Sequence, residues 1–255
     1  MAKTASLLAL LTAVHGLDDG SADFYQAVTG GGQQPAHSDN STGVQVLLKE
    51  YVASTGARCL DGTPGAYYIR KGVGSGANKW YIHHQGGGWC ESWDDCYARS
   101  NSSLGSSAGY ASSTALKGGY FDPSPQVNPM MYNWNTVFMP YCDGGSFSGN
   151  NETITTYKGK PLYYVGKRVR EAVYDSLLQH QNLRAATDVV ISGCSAGGLA
   201  TFLHTDQWCD SLKRDATQRV KCVGLPDSGA SLAHNQMLPC SPAVARRLRQ
   251  CARLI

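Results

Sequence analysis

The chain has 255 residues, a net charge of +3 from 22 basic against 19 acidic side chains, and 42% hydrophobic residues, which is enough for one large core and excludes a disordered polypeptide. Charged residues reach only 16%, and the basic ones gather nowhere except near the C-terminus, so binding to nucleic-acid phosphates has no composition behind it. Glycine is abundant, at 29 residues, without a G-X-Y period, which points to a loop-rich globular protein.

In chain order, residues 1–16 carry Lys3, an apolar stretch from Ala5 to Val14 and Gly16 at a cleavage-like position, the shape of a signal peptide. No other stretch approaches the roughly 18–20 apolar residues that cross a bilayer, so no membrane span is expected. Residues 17–43 read as a flexible N-terminal segment, residues 44–231 as the folded domain and residues 232–255, rich in arginine, as an atypical tail. Within the domain, Val46, Leu47, Tyr51 and Val52 form a short apolar segment. Ala66-Tyr67-Tyr68-Ile69 and Lys79-Trp80-Tyr81-Ile82-His83 read as strands, the second stopped by Gly86-Gly87-Gly88. Residues 101–119, rich in Ser, Gly and Ala, look too polar for a core element and predict an extended surface loop, which Asp122-Pro123-Ser124-Pro125 and Asn128-Pro129 stiffen. Thr136-Val137-Phe138-Met139-Pro140-Tyr141 predicts a buried strand. Val165, Val169, Val173 and Leu177 then recur every four residues and predict a helix over 163–179. A β-branched strand, Thr187 to Ser192, a helix over about 196–213 and a strand over about 219–225 complete the pattern. Alternating strands and helices imply an α/β domain with a mainly parallel sheet.

The nine cysteines contain no CxxC pair of the kind that holds zinc, and disulfides are their natural use. An odd count leaves at least one thiol unpaired. The sequons at Asn40, Asn101 and Asn151 are glycosylation candidates and agree with a secretory route.

The motif that carries chemistry is Gly193-Cys194-Ser195-Ala196-Gly197, a G-x-S-x-G between a hydrophobic strand and a helix-forming run. A serine in so tight a turn is strained, small neighbours let the chain close, and its hydroxyl projects beside a helix N-terminus that favours developing negative charge. Ser195 is therefore the expected nucleophile. Gly86-Gly87-Gly88-Trp89, directly after a strand, permits the close backbone approach an oxyanion requires. The amides of Gly88, Trp89 and Ala196 are the expected oxyanion hole.

These residues resemble the pectin acetylesterase and Notum family of carboxylesterases. The matching stretches are Cys59-Leu60-Asp61-Gly62-Thr63-Pro64, Gly86-Gly87-Gly88-Trp89-Cys90, Tyr132-Asn133-Trp134-Asn135, Tyr141 to Gly149, Ser192-Gly193-Cys194-Ser195-Ala196-Gly197-Gly198 and Asp227-Ser228-Gly229. The resemblance implies an α/β-hydrolase-like, mainly parallel sheet with helices on both faces and without its C-terminal part. It also implies Ser195 as nucleophile, Gly88, Trp89 and Ala196 as oxyanion-hole amides, and disulfides Cys59 to Cys142, Cys90 to Cys96 and Cys209 to Cys222. Cys194 would be a small buried thiol. The implied protein is a secreted monomer acting on an acetylated cell-wall polysaccharide, with no metal or organic cofactor. A Notum-like protein O-deacylase is the enzymatic alternative, and a non-catalytic polysaccharide-binding protein the alternative of another class.

Two departures stand out. Gln85 occupies the position where the family usually has an acidic residue, after His83 and His84, whose side chains point to opposite faces of a strand and so suit packing rather than shared metal ligation. Only 60 residues follow Ser195, while each βαβ unit takes roughly 30 or more. The triad Asp and His are therefore not expected in matching positions. Asp227 and His234 follow in the right order but close together, with Asp227 expected in a loop after a strand. His204 sits about 13 Å along the helix axis from Ser195 and is expected beneath the site rather than as its base. A truncated or mis-spliced product of a longer esterase gene is the reading of the tail.

Overall fold

A computed structural model describes residues 41–227. Its centre is a seven-stranded sheet in the order β4-β1-β2-β5-β3-β8-β9. The strands are β1 (Thr42–Leu47), β2 (Ala66–Arg70), β3 (Lys79–His84), β4 (Ser113–Ala115), β5 (Asn135–Met139), β8 (Asp188–Cys194) and β9 (Lys221–Asp227). β5, β3, β8 and β9 run parallel, whereas β4, β1 and β2 are joined antiparallel and meet β5 antiparallel. A separate two-stranded hairpin pairs β6 (Thr155–Tyr157) with β7 (Lys160–Leu162). The helices are α1 (Lys49–Ser54), α2 (Trp93–Arg99), α3 (Gly166–His180) and α4 (Ala196–Asp215). This is an α/β-hydrolase-like architecture, as the sequence led one to expect.

The central strand β3 is buried on both faces, which explains its unbroken apolar run. Trp80 and Ile82 point into one cluster with Val137, Met139, Val189 and Ile191, and there α3 lays down Val169, Val173 and Leu177, the stripe seen in the sequence. α4 joins the same cluster through Ala196, Ala200, Trp208 and Leu212. Both long helices thus pack on one face among the described residues. The opposite face is filled by Tyr81 with Leu116, Phe121 and Met131, backed by Trp134, Phe138 and Val190.

Most of residues 101–119 is exposed turn, as expected, and that second cluster corrects the surface-loop expectation only toward the segment's end. Ser113–Ala115 pairs with β1 as an edge strand, and Leu116 is 4% exposed. The buried Arg70 holds the segment down, donating to the carbonyls of Leu116 (2.6 Å) and Phe121 (2.7 Å) and to Thr136 Oγ1 (3.0 Å). A long-range guanidinium supplies what local composition does not show. α1, α2 and the β6–β7 hairpin also escape the sequence reading, being too short to display a period.

Candidate active site

β8 ends at Cys194, α4 starts at Ala196, and Ser195 is the single residue between them, at φ 56° and ψ −119°. A non-glycine residue held there stores strain that surrounding structure must sustain. The support is visible. The Ser195 N–H donates to the Asp227 carbonyl at the end of β9 (3.2 Å). The flanking glycines are required by contact: a Cβ on Gly193 would lie 2.2 Å from the Gly197 carbonyl oxygen, and one on Gly197 would lie 2.0 Å from that of His84. Ser195 is solvent-exposed at the N-terminus of a 20-residue helix with no acidic residue in its first turn. The helix end leaves free backbone N–H groups and positive potential beside the hydroxyl.

The glycine turn after β3 is seated against this elbow. A Cβ on Gly86 would come 2.3 Å from the Cys194 carbonyl oxygen and 3.1 Å from Ser195 Cβ, so only glycine allows the approach. Gly87 and Gly88 take φ 144° and 65°. Arg99, at the end of α2, donates to the Gly87 carbonyl (2.9 Å) while its guanidinium lies 5.8 Å from the Tyr141 ring centroid. Trp89 donates its indole N–H to Ser146 Oγ (2.6 Å), and the Cys90 N–H reaches the Gly144 carbonyl (3.1 Å). Gln85 uses its side-chain oxygen to accept the Tyr141 N–H (2.9 Å), so the amide at this position serves backbone geometry.

Ser146 is in turn fixed by Asp143. The buried Asp143 carboxylate accepts the N–H of Gly145 (3.1 Å) and of Phe147 (3.1 Å), holding Ser146 and Phe147 at φ 52° and 57°. α3 begins directly against this carboxylate, since a Cβ on Gly166 would lie 2.1 Å from Oδ2. Burial raises the Asp143 pKa to about 6, against the lowering effect of those N–H donors and of Arg170. Arg170, itself 3% exposed, donates to the Phe147 carbonyl and to Gln207, and burial brings its pKa down to about 10.

The histidines point elsewhere. His83 faces Phe121 and Phe138, with Nδ1 2.9 Å from the Tyr81 hydroxyl, whereas His84 faces Phe147 and Trp208 on the other side of the sheet. His84 donates from Nδ1 to the Ser192 carbonyl (3.0 Å) beneath the elbow, and its Nε2 has no hydrogen-bond partner. Burial depresses the pKa of His83 to about 3 and of His84 to about 4. His204 Nε2 lies 2.8 Å from Ser148 Oγ, and burial, with Arg170 and His84 adding to it, pushes its pKa down to about 3. A group so held is a poor general base near neutrality. Among the described residues, no histidine hydrogen-bonds the Ser195 hydroxyl.

The structure therefore sets Gly86, at the head of the glycine turn, against Ser195, with Ala196 opening the helix beside it. It forms the Cys59–Cys142, Cys90–Cys96 and Cys209–Cys222 disulfides, and among the described residues it leaves Cys194 as a half-buried thiol whose pKa burial raises. Asp227 is the last residue of β9, registered opposite Cys194, rather than a loop residue after the strand. The ladder to β8 runs on to Asp227, past the strand end expected near residue 225. His234, Asn40, Cys240 and Cys251 lie outside the described residues. Asn101 is exposed, its side chain bonded to the Tyr97 carbonyl and to Lys160, and Asn151 is half-buried with its oxygen on the Thr153 N–H. Sequence reasoning gave no role to Asp143, Ser146, Arg99 or Arg170. An Asp-Gly-Gly-Ser turn was the available signal for the first two; nothing local marks the arginines.

Among the described residues no helix is long and apolar enough to cross a membrane, and no group of three or more His, Cys, Asp or Glu side chains is placed to hold a metal ion. The family model described as Pectinacetylesterase matches residues 37–245. Pectin acetylesterase 5 of Arabidopsis thaliana is 40% identical over 180 residues, covering 71% of this chain and 41% of that protein. Pectin acetylesterase 11 of the same plant is 40% identical over 181 residues, covering 71% and 44%. The palmitoleoyl-protein carboxylesterase NOTUM of Schmidtea mediterranea is 32% identical over 183 residues, covering 71% and 34%. The chain thus spans less than half the length of these relatives, and with its strained serine elbow and abutting glycine turn it belongs to the pectinacetylesterase family.

Proposed function

We propose that the protein is a secreted serine carboxylesterase that removes acetyl groups from a pectin-type cell-wall polysaccharide. One observation carries this reading: an exposed serine in a strained strand-to-helix elbow, with a glycine turn packed to within contact of its Cβ. Ser195 Oγ attacks the acetyl carbonyl and loses its proton to a base. The carbonyl oxygen, now negative, is held by the N–H groups of Gly88, Trp89 and Ala196, and the sugar oxygen leaves with a proton. Water then attacks the acetyl-Ser195 ester, releasing acetate and restoring the hydroxyl. The base and its acid partner are not supplied by the described residues. The 39–40% identity to pectin acetylesterases, against 28–32% to Notum proteins, favours a small acetyl group over a long acyl chain. Three disulfides support an oxidising compartment and so the reading of residues 1–16 as a signal peptide. Residues 44–231 are the proposed esterase domain, acting as a monomer, with Asn40, Asn101 and Asn151 as glycan acceptors.

The experiment is to mix the chain with p-nitrophenyl acetate, quench in acid and map the acetyl group by peptide mass spectrometry. Acetylation of the peptide holding Ser195, absent in Ser195→Ala, is the expected result. Acetylation that persists unchanged in Ser195→Ala would remove the serine mechanism.

A further inference from the structure

α2 and the β6–β7 hairpin build an aromatic platform that the proposed chemistry does not use; its base, Tyr164 with Tyr157 packed on it, belongs to a small buried cluster with Leu60 and Leu162, and Trp93 stands out from that base. Trp93 is 40% exposed. Its indole lies nearly parallel to the Tyr157 ring (centroids 6.4 Å, 25°) and edge-on to Tyr164 (6.1 Å, 69°), and Tyr157 meets Tyr97 edge-on (6.1 Å, 71°). The rings are fixed in advance. Lys158 and Gly159, at φ 49° and 76°, make the two-residue turn that joins paired Tyr157 and Lys160. The Tyr157 hydroxyl donates to Asp94 (3.0 Å), Lys158 pairs with the same carboxylate, and its ammonium sits 5.3 Å and 5.5 Å from the centroids of Tyr157 and Tyr97. The Cys90–Cys96 disulfide closes the other side of α2.

The surroundings select the ligand chemistry. Asp94 pairs with Lys158 at the edge of the rings, so the rim carries both signs and offers no phosphate track. What remains is a rigid apolar ring face bordered by donors and acceptors. That matches a pyranose, whose C–H face is apolar and whose hydroxyls both donate and accept. Preorganised rings also bind without first being ordered.

The platform is tied to the elbow by a short stretch of chain: Trp93 follows Gly86, which abuts Ser195, by seven residues, at most about 25 Å of extended chain. Arg99 at the far end of α2 holds the Gly87 carbonyl. We propose that Trp93, with Tyr157 and Tyr97 behind it, is a sugar-binding subsite that takes a pyranose unit of the polysaccharide flanking the acetylated one. The proposal rests on the polysaccharide esterase reading for its choice of polymer.

The test is a fluorescence and calorimetric titration of the 255-residue chain carrying Ser195→Ala, so that the probe is not consumed, with acetylated oligogalacturonides prepared from pectin. Adding Trp93→Ala raises Kd by about tenfold or more, Tyr157→Ala raises it less, and Trp93→Phe stays within about threefold. Circular dichroism of each variant stays that of the parent. Equal Kd in the parent and in Trp93→Ala overturns the proposal, as does binding that added salt abolishes and Trp93→Ala leaves alone. Absence of binding by the parent, while the unsubstituted chain releases acetate from the same oligomers, overturns it too and leaves the esterase reading intact. Trp93-dependent binding without serine-dependent acetate release keeps the subsite and removes the esterase.

Discussion

Two ends of the parallel half-sheet differ in how they are finished. At the elbow, β3, β5 and β8 deliver Gln85 to Trp89, Asp143 to Phe147 and Gly193 to Gly197 into one knot in which backbone touches backbone. At the outer side, β9 alternates without a buried face: Val223 is 56% exposed and Leu225 37%, and α4 beside it turns Phe202 (57%) and Leu203 (52%) to solvent. Parallel strands in α/β folds are normally covered on both faces. The strained serine is thus stabilised by its immediate neighbours, while β9 reaches it through the Asp227 carbonyl, the ladder to β8 and the Ser192 hydroxyl on the Leu225 carbonyl.

Substitutions that break the comparison should be costly at the knot and cheap at the edge. Gly197→Ala drives a Cβ to 2.0 Å from the His84 carbonyl oxygen and is expected to destabilise by about 3 kcal/mol or more, read as a shifted urea midpoint or a loss of folded yield. Asp143→Ala leaves the Gly145 and Phe147 N–H groups without an acceptor in a buried site. A loss of about 2–3 kcal/mol follows, with Trp89 released enough to change the fluorescence, and Asp143→Asn, which keeps one acceptor, loses less.

Acid acts on the buried histidines behind the knot. His83 and His84 have folded pKa values well below 6.5, so the stability they contribute is present above pH 6.5 and is lost as pH falls toward 4; His204 acts in the same direction. Asp143, raised to about 6, opposes them: its contribution is full below about 3.8 and is lost as pH rises through 6. Three histidines pull one way against a single carboxyl, so stability falls as pH drops from about 6 to 4.5. Urea midpoints measured across that range check the sign. Stability that rises on acidification would contradict the buried neutral histidines. The smallest effect belongs to the edge: Val223→Thr should change stability by less than about 0.5 kcal/mol.

Much of the knot was legible because its signals are local. A β-branched strand, a G-x-S-x-G and a helical stripe at Val169, Val173 and Leu177 lie within one stretch of chain, and backbone sterics alone make Gly193 and Gly197 meaningful. The sheet order and the second core were less legible. Leu116 and Phe121 are isolated apolar residues in a polar stretch, and only the buried Arg70, forty-six and fifty-one residues away, shows why they fold inward. The roles of Arg99 and Arg170 are likewise set by contacts distant in sequence. The short α2 and β6–β7, which carry the aromatic platform, have too few residues for any period to emerge.

Acetate release from acetylated pectin by the chain, measured beside Ser195→Ala, tests directly whether Ser195 is the nucleophile. The expected result is release that the substitution removes, slow where no base assists, since an oxyanion hole alone retains some catalysis. Equal release by both chains would contradict it.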